Sequence, residues 1–245
     1  MATARSWPGR LLRLILGVLA VCVAASILSV VLFRWIDPPF TAFMAETQLS
    51  AWLKHDPSYV PAHHWVGLDR ISPNLALAVI ASEDQKFPAH WGFDVEAIEK
   101  AYQLNQHSHK IRGASTISQQ VAKNLFLWSG RSYFRKGLEA CFTILIEACW
   151  SKRRIIEVYL NSAEFGYGTY GAEAAAQRFF HRPAARLTRG DAALLAAVLP
   201  NPEHYSAAAP SAYLQRRREQ ILAQMQALGG AEMLQEIDAY PNRRP

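Results

Sequence analysis

A mostly α-helical domain on a single N-terminal transmembrane helix is the fold the sequence predicts. Three observations carry that expectation. Leu14 to Phe33 is a run of about twenty residues without a charge, roughly what a helix needs to cross a bilayer core. From Ser72-Pro73 onward, apolar residues recur at helical spacing nearly everywhere. Strand signals are weak, and no internal repeat, low-complexity tract or long linker interrupts the pattern.

The elements follow in chain order. Arg5, Arg10 and Arg13 precede the apolar run, and no acidic residue occurs before Asp37. The positive-inside rule then keeps residues 1–13 cytoplasmic and places everything after Phe33 outside. Trp35 sits where an interfacial aromatic belongs. A cleaved signal peptide is the competing reading. Val30 to Trp35 contains no small-x-small cleavage site, and Ala24, Ala25 and Ser26 lie in mid-run, so 14–35 reads as a retained anchor. Asp37-Pro38-Pro39 breaks the helix. Phe40, Phe43, Met44, Thr47, Ala51 and Trp52 then give 36–70 an amphipathic, juxtamembrane character. Residues 71–245 form the domain, with helices predicted over 74–87, 94–106, 116–128, 132–150, 152–161, 170–180, 189–199 and 211–228.

Composition narrows the function. The chain has 245 residues, 51% hydrophobic and 19% charged, too apolar for disorder and too polar for several membrane spans. The length fits one domain plus an appendage and leaves little room for a second enzyme. A formal charge of +6 on a domain outside the cytoplasm argues against nucleic acid. Anionic headgroups or a pyrophosphate-bearing substrate fit better. Cys141 and Cys149 lie eight residues apart on one predicted helix, about 12 Å, too far for a disulfide. With Cys22 in the apolar run, all three read as buried free thiols, and no cysteine spacing suggests a metal site.

Four segments carry chemistry. In E-D-Q-K-F-P-A-H-W-G-F-D, Glu83 aligns with Leu75 and Val79 at the end of an apolar helix. Partial desolvation there raises a carboxyl toward the range of a general base. Asp84 is adjacent but points about 100° away. Acids disfavour a helix C-terminus, so two in succession call for an explanation. In R-G-A-S-T-I-S-Q-Q-V-A-K-N, Thr116 and Gln119 fit a capping box. The helix start it marks is either an anion site, with Gln119, Gln120 and Lys123 converging on one face, or a plain capped helix with a polar outer face. In the third segment Arg135 and Glu139 are i, i+4 neighbours with Lys136 alongside. They either line a cleft or form an ordinary intrahelical pair. In the fourth, a helix ends near Asn161, with Glu157 on the same face and Gly166, Gly168 and Gly171 following. Ligand contact and a packed helix–turn–helix are equally compatible with it.

In this order, E-D-x-x-F-x-x-H-x-G-x-D, G-x-S-T-I-x-Q-Q-x-x-K-N, R-K-x-x-E and Y-L-N with its glycine-rich sequel resemble the motifs of the peptidoglycan glycosyltransferases. These are the family 51 enzymes that polymerise lipid II. The resemblance spans about Ile71 to Pro202 and is most like the monofunctional type. It implies a lysozyme-like helical glycosyltransferase domain. It implies that Glu83 is the general base and Glu139 the second glutamate, beside the donor pyrophosphate. Lys123, Arg131, Arg135 and Lys136 match the pyrophosphate-holding positions. Asp84, Phe87 and His90 match residues shaping the first motif. Ser115, Thr116, Gln119, Gln120 and Asn124 match the second. No obligatory cofactor is implied, although magnesium or manganese assists some members, and no dedicated metal ligand set is visible. Implied partners are lipid II, the growing glycan, membrane lipid and cell-wall synthesis proteins. The 40–54 stretch and Phe126-Leu127-Trp128 would contact lipid. Asp191 stands where the family usually has glutamate, in a stretch whose apolar repeat reads as core.

Two alternatives compete. One is a glycan-cleaving enzyme using Glu83 and Glu139 as acid and base; the basic cluster argues against it. The other is a non-catalytic scaffold of the cell-wall machinery. The S-x-x-K and K-T-G motifs of penicillin-binding acyl transfer do not occur.

Overall fold

The computed structural model describes residues 7–106, 114–130, 132–230 and 232–239. Contacts divide the chain into two units, Met1–Asp37 and Pro38–Pro245. The first holds helix α1 (Trp7–Leu32). Its apolar stretch, Gly9–Leu32, is 24 residues long, about 36 Å at 1.5 Å per residue, enough to span a hydrocarbon core. Ser26 and Ser29 donate their hydroxyls to the carbonyls of Cys22 and Ala25 at 2.8 and 2.7 Å, so their polarity is satisfied within the helix.

The second unit is mostly α, as the periodicity predicts. Helix α2 (Ala42–Lys54) starts where Thr41 accepts from the Met44 amide and stops at His55, in the left-handed region at φ 51°. Helix α3 (Pro73–Glu83) has proline at its first position and buries every residue from Leu75 to Ala81. Next come α4 (Val95–Gln106), α5 (Ile117–Phe126), α6 (Tyr133–Cys149) and α7 (Lys152–Ser162). They are followed by α8 (Ala172–Phe180), α9 (Arg189–Val198), α10 (Ala212–Ala227) and α11 (Glu232–Ala239). Serine side chains cap α6, α7 and α10 through Ser132, Ser151 and Ser211. Asp191 completes a capping box with Thr188 on α9 and pairs with Arg182, while Ala192 to Val198 behind it are core.

Two packing groups meet at the site. α3 lies against α9 and α10; α5 lies against α6, α7 and α2. The side chains of α3, α5, α7 and α9 supply about half of the apolar core. A small sheet in the order β1-β3-β2 sits beside them, built from β1 (Ala62–His63), β2 (Glu164–Gly166) and β3 (Thr169–Tyr170). β1 runs parallel to β3 and β2 antiparallel to it.

Several expectations need correction. The helix predicted to reach residue 87 ends at Glu83, because Asp84 adopts φ −160° and turns its carboxylate elsewhere. The glycine-rich sequel to Asn161 is a β-hairpin rather than a helix–turn–helix. Gly171 explains why 172, and not 170, starts α8. It sits at φ +84°, and a Cβ there would lie 2.8 Å from the Asn161 carbonyl oxygen, so only glycine fits. Helix α11 was not expected; its Met233 and Ile237 are buried at i, i+4 spacing. Cys141 is exposed and Cys149 half-buried, so the buried-thiol expectation fails, although all three cysteines are free. In the apolar patch, Leu127 is core and Phe126 stacks on Phe142 at 4.5 Å, leaving Trp128 exposed. Tyr133 and Phe134 extend that exposed surface instead.

Candidate active site

The site forms where α3 ends and α5 begins. Asp84 leaves the helix, and its buried carboxylate does two things. Oδ2 accepts the Ile117 amide at 3.0 Å, and the carboxylate accepts from Nε2 of His90 at 2.8 and 3.0 Å. The start of α5, where an anion site was one alternative, is therefore filled by the protein's own carboxylate. The capping box seals it further. Thr116 accepts from the Gln119 amide and Gln119 accepts from the Thr116 amide. The Thr116 hydroxyl also donates to the Gly92 carbonyl at 2.7 Å. Gly92 sits at φ +81°, where a Cβ would lie 2.8 Å from Thr143. Phe87 is fully buried, its ring nearly perpendicular to that of His90. Asp84, Phe87 and His90 thus build the junction, although Asp84 also lines the cavity beside it.

Glu83 is different. It remains half-buried in a cavity of about 340 Å³, which Asp94, Lys100, Ser115 and Thr116 also line. Burial pushes its carboxyl up from the ordinary range. The Gln120 amide and the charges of Arg217 and Lys123 oppose that, while Asp84 adds to it. Nε2 of Gln120 donates to Glu83 Oε2 at 2.9 Å, and Oε1 of Gln120 accepts from the Tyr159 hydroxyl at 3.1 Å. The face expected of Gln119, Gln120 and Lys123 is thus only partly formed, since Gln119 is turned back into its cap.

A second cluster lies at the start of α6. Glu139, 3% exposed, is held by Arg135 Nη1 at 2.9 Å and by Lys136 Nζ. Cations in the first turn of a helix are disfavoured by its dipole. Here Arg135 and Lys136 are instead held by the buried Glu139 carboxylate four and three residues on. Lys136 also donates to Ser115 at 3.3 Å, and Ser115 lines the Glu83 cavity, so the two clusters adjoin. Lys123 senses both carboxylates, and burial lowers its pKa from the usual lysine value. Its Nζ lies 5.8 Å from the centre of the Phe43 ring on α2. Asn124 is buried on the same helix. Arg131 lies outside the described residues, as do Arg112 and Gly113 of the second motif.

A resident divalent cation does not fit these donors. Both Glu139 oxygens already hold cationic partners, and Lys123 adds a third positive charge nearby. Among the described residues no group of three His, Cys, Asp or Glu side chains could hold a metal ion.

Sequence reading missed four contributors. Arg217 on α10 donates to the Ser82 carbonyl at 3.5 Å and faces Glu83. Tyr159 orients Gln120. Lys152 and Glu147 form a fully buried pair at 2.7 Å, joined by the Ser118 hydroxyl, with Lys152 Nζ 4.6 Å from the Phe87 ring centre. A lysine just after a serine cap gives no sequence signal of burial. Asn161 and Glu157, left open between ligand contact and packing, prove to be packing. Asn161 exchanges hydrogen bonds with the Val66 backbone, and Glu157 pairs with Arg154 and accepts the Leu68 amide.

Comparison with known proteins shows the family. The transglycosylase family model matches residues 52–226. A biosynthetic peptidoglycan transglycosylase of Klebsiella oxytoca is 58% identical over 219 residues, 89% of this chain and 90% of its own. One from Cronobacter sakazakii is also 58% identical over 219 residues, 89% of each chain. One from Escherichia coli is 56% identical over 235 residues, 96% of each chain. With a helical lysozyme-like fold, a family model that matches most of its length and relatives this similar, the chain belongs to the transglycosylase family of peptidoglycan glycosyltransferases.

Proposed function

We propose that the chain polymerises lipid II into β-1,4-linked glycan with Glu83 as general base. The observation that carries this is the division of charge along the cleft. One half-buried carboxylate faces a cavity, and beside it lies a cationic cluster around a carboxylate that is already neutralised. Glu83 takes the proton from the 4-hydroxyl of the acceptor GlcNAc. The oxygen forms its bond to C1 of the donor MurNAc as the C1–oxygen bond to undecaprenyl pyrophosphate breaks. The pyrophosphate departs with the electron pair, and configuration at C1 inverts. Lys123, Arg135 and Lys136 stabilise the charge that develops on it; Arg131 is assigned the same role. Glu139 holds Arg135 and Lys136 in place. No step needs a metal ion. The remaining matched residues, Asp84, Phe87, His90, Thr116 and Gln119, hold the cleft in shape, with Ser115, Gln120 and Asn124 along it.

The glycan-cleaving alternative uses Glu83 and Glu139 as acid and base. Both Glu139 oxygens are already engaged by Arg135 and Lys136, which counts against a role for Glu139 at a glycosidic bond. The Arg5, Arg10 and Arg13 bias supports a domain on the outer face of the plasma membrane. Exposed Phe40, Leu49, Trp52 and Leu53 around α2 would enter the lipid there. The deciding experiment incubates the protein with lipid II. Polymer from the parent and none from Glu83→Gln, with equal melting temperatures, is the expected outcome. Shortened strands from preformed glycan, or a variant of near-parental activity, would sink the assignment.

A further inference from the structure

Two hydrogen bonds in series connect the middle of α7 to Glu83. The Tyr159 hydroxyl donates to Oε1 of Gln120, and Nε2 of Gln120 donates to Glu83. Tyr159 is 1% exposed, so water does not substitute for it. A carboxamide has two ends of opposite polarity. Turned round, Gln120 would set an oxygen against the Glu83 carboxylate and favour a proton on it. A phenol is a good donor and a weak acceptor, whereas the amide oxygen is a good acceptor. A phenol O–H at the far end therefore favours the orientation with the amide N–H at Glu83. Donation into Oε1 also polarises the amide and strengthens its N–H as a donor. Burial, with the charges of Glu83 and Asp84, raises the phenol's own ionisation far above the usual range, so it remains a donor.

We propose that Tyr159 is a positioning residue whose hydroxyl fixes the Gln120 carboxamide with its N–H toward Glu83, keeping Glu83 unprotonated and ready to accept the substrate proton. This rests on Glu83 being the general base. Tyr159 acts through Gln120 and does not touch substrate. The other groups facing Glu83 are Asp84 beyond the end of α3, Lys123 on α5 and Arg217 on α10. All three stay in place when only the hydroxyl is removed.

The test is Tyr159→Phe in the full chain, assayed with lipid II across pH. The acidic limb of kcat/KM should move up by about one pH unit, a tenfold loss of ionised Glu83 on that limb. The kcat should fall several-fold near neutrality, KM should stay level, and activity should recover in alkali. Gln120→Leu should move the limb similarly, and adding Tyr159→Phe to it should move it no further. An unmoved limb, or equal loss at every pH, overturns the proposal. A carbon-13 titration of the Glu83 carboxyl in detergent micelles needs no turnover. A midpoint raised by Tyr159→Phe supports the relay even if the parent makes no polymer, an outcome that would count against the function alone. An unmoved midpoint overturns the relay.

Discussion

Glu83 is held between opposing influences: burial favours its protonated form, while Gln120, Lys123 and Arg217 favour the carboxylate. Its line with Leu75 and Val79 was legible, because a 3.6-residue period fixes which side of α3 it occupies. Gln120's partner was not legible, since it comes from a helix 37 positions away in the chain. Lys123 was readable as a face residue but not as a group between two carboxylates. Its place beside Glu139 predicts that Lys123→Ala weakens donor binding more than chemistry. Loss of one charge-assisted contact should raise KM for the donor by roughly ten- to a hundredfold. Initial rates against donor concentration check this, and an unchanged KM counts against the role.

At the scale of elements, α5, α6 and α7 are joined by a buried cluster. Glu147 from α6 accepts from Lys152 of α7 and from Ser118 of α5. Burial lowers the Lys152 pKa, and the Glu147 carboxylate opposes that. Removing one partner strands a buried charge, at about 3–5 kcal/mol. Lys152→Met alone should therefore lower the melting temperature more than Lys152→Met combined with Glu147→Leu. Thermal unfolding of the two variants checks the order. The capping boxes at Thr116 and Thr188 were readable, because their partners lie three residues apart. The filling of the α5 start by Asp84 was not, because that contact crosses 33 positions. The hairpin over β2 and β3 escaped notice because strands of three and two residues are too short to show alternation.

At the scale of the molecule, pH enters through a buried acid that the chemistry does not use. Glu164 on β2 accepts the Gly168 amide at 2.9 Å, and burial lifts its pKa from 4.5 to about 7. The folded state therefore favours its protonated form. Its stabilising contribution is complete below about 4.5 and is lost as pH rises through about 7. That interval corresponds to on the order of 3 kcal/mol. Glu164→Gln keeps an acceptor for Gly168 and removes the titration. The variant should match the parent near pH 4.5 and melt higher at pH 8. Melting temperatures across pH check this. Helix α1 predicts that the full chain resists alkaline carbonate extraction from membranes. Release into the soluble fraction would contradict the anchor.

The sequence by itself determined the helical class, the anchor-length apolar helix, the helix starts and the ordered motifs. Each of these depends on residues within a few positions of one another. Tertiary structure decided which polar groups remain accessible. Asp84 and Gln119 were claimed by the fold, whereas Glu83, Lys123 and Arg135 stay half-buried and Lys136 exposed. The reason is that hydrogen-bond partners in a packed interior come from distant segments. Local spacing fixes the direction a side chain leaves its helix, and packing fixes what it meets.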